Sequence, residues 1–311
     1  MGKSEMQFDS PCCDEVLRRV MARIVGIHGI GQQYKGGHEL HTGWWDALRD
    51  GLVAAKREDV DTSLAENDLE VSFFGSLFRP PGAMGGDDFP PYTANDLNSE
   101  DRKLVEAFYA ETLALQPELT PPAGAMGAVK VGVEAMAQRL LHSPTFASVV
   151  ERAFVGNLKQ VSKFLQSTPT KDLVFANVAK HVTEETRIVI GHSLGSVVAY
   201  EYLCREAPPG VELLITLGSP LGIPNLIFNH LTPAPTEQGG AWPGAVRRWV
   251  NIADPDDVVA LRKDLAGLFP PPPGIDPVVD ELVDNGDEPH AISRYLNSAE
   301  AGKALAEVLS P

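Results

Sequence analysis

Residues 187–196, RIVIGHSLGS, set a short apolar, β-branched run directly against Gly191-His192-Ser193-Leu194-Gly195, and an amphipathic helical pattern at 197–206 follows at once. A continuous apolar run of this kind is how a strand buried in a parallel sheet reads. To pass from that strand into a helix, the chain must reverse within a few residues. Side chains at 191 and 195 would collide across such a turn, and the residue between them, Ser193, must take strained backbone angles. The Ser193 hydroxyl is then lifted above the end of the strand, at the start of a helix whose positive end favours developing negative charge. Whatever the chain folds into must contain this buried strand, this bend and this helix.

Five further segments read as strands: 23–27, 70–74, 213–217, 249–253 and 278–282. Helical patterns separate several of them, including 44–54, where Trp44, Leu48 and Leu52 recur at helical spacing. Alternating strand and helix predicts the α/β class, with a mostly parallel sheet of about six strands covered by helices on both faces. Between the second and third strands the character changes. Residues 79–98 are loop-like, with Pro80, Pro81, Pro90 and Pro91, and apolar helical patterns follow at 104–115, 125–141 and 146–164. A block this long is no simple crossover and predicts a helical cap inserted at about 79–165. Residues 1–21 read as a polar lead-in, with Met21 an alternative natural start, and 22–311 as one domain carrying that cap.

Charge narrows the partners. With 26 basic against 42 acidic side chains the net charge is −16, which argues against phosphate neutralisation and so against nucleic acid. The same excess disfavours anionic membrane surfaces. Cys12, Cys13 and Cys204 are an odd count without a spaced framework, so neither a disulfide scaffold nor a zinc ribbon fits. The charged N-terminus has no apolar signal core, and no run approaches 18 apolar residues. The expectation is a reduced, cytoplasmic protein with no membrane span.

A serine hydroxyl is a weak nucleophile at neutral pH. It needs a base, and the base needs an acid to orient it. After a strand–turn–helix of the Gly-x-Ser-x-Gly kind, those partners follow in the order acid, then histidine. Of the eight histidines (28, 38, 41, 142, 181, 192, 230 and 290) only His290 lies beyond the fifth strand, in a loop just past the last one. The acid should follow the fifth strand, where Ala253-Asp254-Pro255-Asp256-Asp257-Val258-Val259 offers three aspartates. Asp257, running directly into apolar residues, is the preferred candidate; Asp254 is the first alternative, since Asp-Pro can build the turn itself. An oxyanion needs backbone donors. Leu194 N–H is one candidate, and His28-Gly29-Ile30-Gly31 after the first strand supplies the other, with Ile30 preferred and Gly31 next. The glycines at 26, 29 and 31 do not make the Gly-x-Gly-x-x-Gly of a dinucleotide loop. His38 and His41 do not make His-Glu-x-x-His, so no metal ligand set is read there. His192 is read as a packing residue, and Ser219 as part of a strand-end turn.

Taken together, His28-Gly29-Ile30-Gly31, Gly191-His192-Ser193-Leu194-Gly195, the 254–257 loop and His290 resemble the α/β-hydrolase family, on its lipase and esterase side. The His-Gly-Ile-Gly loop is similar to that of small bacterial lipases. The resemblance spans about 23–309 without the insertion, and it departs from the usual eight-stranded family sheet by lacking the first two strands, as small lipases do. It implies a serine hydrolase that cleaves carboxylic esters through an acyl-enzyme. In that scheme Ser193 is the nucleophile, His290 the base, Asp257 the acid, and Ile30 and Leu194 N–H form the oxyanion hole. The expected partner is a small-molecule ester with an apolar acyl chain, and neither metal nor organic cofactor is needed. The same three residues would also serve an acyltransferase, a thioesterase or a peptidase, and the fold alone would also suit a non-catalytic interaction or signalling protein. Oligomeric state is not legible.

Overall fold

A computed structural model describes residues 22–61, 63–79, 97–115 and 151–310. In chain order the main elements are β1 (Ile24–Ile27), α1 (Gly37–Ala54), the single turn α2 (Glu58–Asp61), β2 (Leu69–Ser72), α3 (Ser99–Leu115), α4 (Glu151–Gln166) and α5 (Thr168–Val178). They continue with β3 (Ile188–His192), α6 (Leu194–Glu206), β4 (Leu213–Leu217), β5 (Arg248–Ala253), β6 (Val279–Leu282), α7 (Ile292–Leu296) and α8 (Ala299–Leu309). All six strands run parallel in the order β2-β1-β3-β4-β5-β6. This is the α/β arrangement that the alternation of patterns predicts.

Strand side chains alternate between two apolar layers, as a pleated strand requires. Val25, Ile27, Val189 and Leu214 belong to the layer that also holds Phe164 of α4, Phe175 of α5 and Val197 of α6. Ile24, Ile188, Ile190, Leu213 and Ile252 belong to the other, with Trp44, Leu48 and Leu52 of α1 and Leu305 of α8. Helix α6 starts three residues before the amphipathic pattern read at 197–206 and is buried without interruption from Leu194 to Leu203, so it has no solvent-facing side until its last turn. The α1–α8 crossing is made at Gly51 and Gly302, where a β-carbon on Gly302 would run into Gly51 O; small residues there let the two backbones meet.

Helix α3 begins at Ser99, five residues before its predicted apolar pattern, and α4 covers the described part of the 146–164 pattern. The pattern at 125–141 and most of the loop at 79–98 lie outside the described residues. Helix α5 is not apparent in the sequence pattern. Val174, Phe175 and Val178 are buried but Leu173 is 57% exposed, so the apolar stripe is broken. Its start does carry a signal, since the Ser167 hydroxyl accepts from Thr170 N–H and a proline occupies the first turn. Among the described residues no helix is long and apolar enough to cross a membrane.

Strand order also places the site. Beyond β1 the chain goes to one side for β2 and to the other for β3, so the loops after β1 and β3 diverge. The crevice between them, at the carboxyl ends of the strands, is where open parallel sheets bind ligands. Those two loops carry His28-Gly29-Ile30-Gly31 and Ser193.

Candidate active site

Ser193 sits between β3 and α6 at φ 55° and ψ −130°, a left-handed conformation that a residue with a β-carbon adopts only under constraint. The constraint is visible. Ser193 N–H donates to Leu217 O at 3.0 Å, while Ser193 O accepts from Ser196 N–H at 2.9 Å and from the Ser196 hydroxyl at 2.6 Å. A β-carbon at Gly191 would lie 2.5 Å from Ser196 Cα, and one at Gly195 would strike the carbonyls of Ile27 and His28. Both glycines are thus required by close approach. Ser219 belongs to the same framework: its hydroxyl meets that of Ser196 at 2.7 Å and accepts from Leu221 N–H.

The loop after β1 abuts this bend. A β-carbon on Gly29 would lie 2.7 Å from Ser193 Cβ, so glycine sets how near the loop can come. His28 is buried and stacked on Phe74, with ring centroids 4.0 Å apart. Its Nε2 accepts from Phe74 N–H at 3.1 Å, which leaves Nδ1–H to donate to Gly29 O at 2.6 Å. Burial lowers the His28 pKa to about 4, so the ring is neutral near pH 7. In a trans peptide C=O and N–H point oppositely; pinning Gly29 O on one side aims Ile30 N–H to the other. Gly31 N–H is engaged by Gln160 Oε1 at 3.3 Å. Among the described residues Ile30 N–H and Leu194 N–H have no hydrogen-bond partner, which separates Ile30 from Gly31 as a free donor.

The three aspartates after β5 are separated by direction. Asp257 Oδ2 accepts from His290 Nδ1 at 2.7 Å and from the Tyr295 hydroxyl at 2.6 Å, while its Oδ1 accepts from Val259 N–H at 2.8 Å. Asp254 instead anchors backbone: it accepts from Asp256 N–H at 2.7 Å and from Asn285 N–H at 2.6 Å. Asp256 is exposed. Burial by itself would raise the Asp257 pKa, but the His290 ring, the Tyr295 hydroxyl and Val259 N–H outweigh it and hold it at about 2. Burial raises the Tyr295 phenol well above its ordinary value, with Asp257 adding to the effect, so it remains a donor.

His290 reaches the site on a loop held by Asp254, through Asn285, and by His192. The buried His192 ring donates from Nε2 to His290 O at 3.0 Å, and the two ring centroids are 4.7 Å apart. Burial and the adjacent His290 lower the His192 pKa to about 3. His192 therefore does more than pack: it ties the bend that carries Ser193 to the loop that carries His290. The roles of His28, His192 and Tyr295 escape sequence reading because Phe74 N–H, His290 O and the Asp257 carboxylate lie far from them in the chain.

Ser193, Leu194, Ile30 and His290 line one cavity of about 180 Å³. Ser193 Oγ makes no hydrogen bond to the His290 ring in this structure, although both face that cavity; such contacts commonly close only around substrate. His38 and His41 lie elsewhere, in an open groove beside β2, and among the described residues no three metal-binding side chains are grouped. Comparison of the chain with protein-family models, with curated proteins and with solved structures returned no match.

Proposed function

We propose that the chain is a serine hydrolase of the α/β-hydrolase type that cleaves carboxylic esters. The observation that carries this reading is the 2.7 Å hydrogen bond from His290 Nδ1 to Asp257 Oδ2, on a ring that shares its cavity with a serine held at positive φ. With Nδ1–H committed to Asp257, Nε2 is the lone-pair nitrogen and can take the Ser193 proton as Oγ attacks the ester carbonyl. The carbonyl oxygen becomes an oxyanion, and Ile30 and Leu194 N–H are the free donors available to it. Collapse breaks the bond to the alcohol, which leaves with the proton from His290. Water, deprotonated by the same nitrogen, then releases the acid from the acyl-enzyme and restores Ser193. Nothing in the scheme calls for a metal or an organic cofactor.

The direct test is labelling with a fluorophosphonate, followed by peptide mapping. The expected adduct is on Ser193, and an adduct confined to another residue would place the nucleophile elsewhere. A second expectation concerns Tyr295. Tyr295→Phe removes one charge-assisted donor from Asp257, an interaction on the order of 1.5–3 kcal/mol. The kcat is expected to fall about tenfold or more with KM little changed, read from initial rates on a soluble p-nitrophenyl ester. Unaltered kcat would mean that the phenol only fills space.

A further inference from the structure

The cavity beside Ser193 has walls of a single chemical kind. Phe108 of α3, Leu158 and Val161 of α4, and Ile223, Leu226 and Ile227 from the segment after β4 enclose it, and no Lys, Arg, Asp or Glu lines it among the described residues. Besides Ser193 and His290 its one strongly polar side chain is Asn157, which sits against Gly31 at the loop end. From these walls and the size of the space we propose that the site takes the acyl half of an uncharged, medium-chain ester, of about hexanoyl to octanoyl length. This rests on the serine-hydrolase reading above.

Size sets the length. An apolar cavity of about 150 Å³ holds a six-carbon ring, so a cavity of about 180 Å³ accommodates roughly six to seven chain carbons. Chemistry sets the charge. A terminal carboxylate would enter without a cation to meet it, at a large desolvation cost, so half-esters of dicarboxylic acids are rejected. The insertion supplies part of the selectivity, because α3 and α4 form one wall while the sheet-end loops form the other.

The experiment is a series of p-nitrophenyl esters from acetate to dodecanoate, with a monosuccinate included, run on the full chain beside fluorophosphonate labelling. Each added methylene that becomes buried is expected to raise kcat/KM about fourfold, up to hexanoate or octanoate, with a decline beyond. The monosuccinate is expected to react at least tenfold more slowly than butyrate. Leu226→Trp, which fills the space, is expected to move the optimum to a shorter chain. A labelled Ser193 with a flat series, or an optimum at acetate or dodecanoate, overturns the acyl-pocket assignment and leaves the hydrolase reading standing. No label and no turnover of any ester overturns both.

Discussion

Ser193→Ala is expected to abolish fluorophosphonate labelling and to lower ester turnover about 10⁴- to 10⁶-fold, the range seen when a serine nucleophile is removed. The fold should survive: the bonds that hold the bend are made by the Ser193 backbone and the Ser196 hydroxyl, and alanine leaves both intact. The companion variants discriminate more finely. Asp257→Asn should cost about 10⁴-fold, because a neutral amide cannot both accept from His290 Nδ1 and stabilise the imidazolium that forms. Asp254→Asn should cost far less, at most about tenfold, since the Asp254 carboxylate accepts from backbone N–H groups of Asp256 and Asn285 and makes no bond to the His290 ring. Initial rates on one soluble ester, with far-ultraviolet circular dichroism to confirm folding, separate the three. If Asp254→Asn proved the more damaging of the two aspartate changes, the acid would have to be reassigned.

Spacing alone does not choose between those aspartates. Asp254 and Asp257 are 3% and 1% exposed, both follow β5, and both precede apolar residues within a few positions. What separates them is where each carboxylate points, and that depends on a loop some thirty residues later in the chain. The strands were legible for the opposite reason. β1, β3 and β4 are buried throughout, so their signal is local and continuous; the edge strand β6 is only partly buried, yet all six segments match strands to within a few residues. Ser193 was legible because close approach demands Gly191 and Gly195, which leaves a mark in the sequence. His290 was singled out by order along the chain. The groups that position these residues leave no such mark: His28 acts on Gly29 O and Phe74 N–H, His192 on His290 O, Tyr295 on Asp257. A tyrosine in a five-residue helix, or a histidine beside a glycine, has no local pattern that reveals a partner tens of residues away.

Acidification from about pH 6.5 to pH 4 is expected to destabilise the fold steeply. His28 and His192 are buried and neutral, with pKa values lowered to about 4 and about 3 from an ordinary 6.5. A histidine whose folded pKa lies below its unfolded pKa contributes its full stability above the unfolded value, and loses it as pH falls toward the folded one. In that window the unfolded chain takes up nearly one more proton per histidine, a slope of about 1.4 kcal/mol per pH unit each. Two such groups make a loss of several kcal/mol, comparable with the whole stability of an ordinary domain. Asp257 acts lower down: with a folded pKa of about 2 against 3.8, its contribution is intact above about pH 4 and disappears as pH falls through 2. The histidine step should therefore come first. Urea denaturation at half-unit intervals of pH would measure it, and His28→Gln should be less stable at pH 7 yet show about half the wild-type slope. An unchanged slope in that variant would mean that His28 can be protonated in the folded protein, and that Gly29 O is held by something other than a neutral ring.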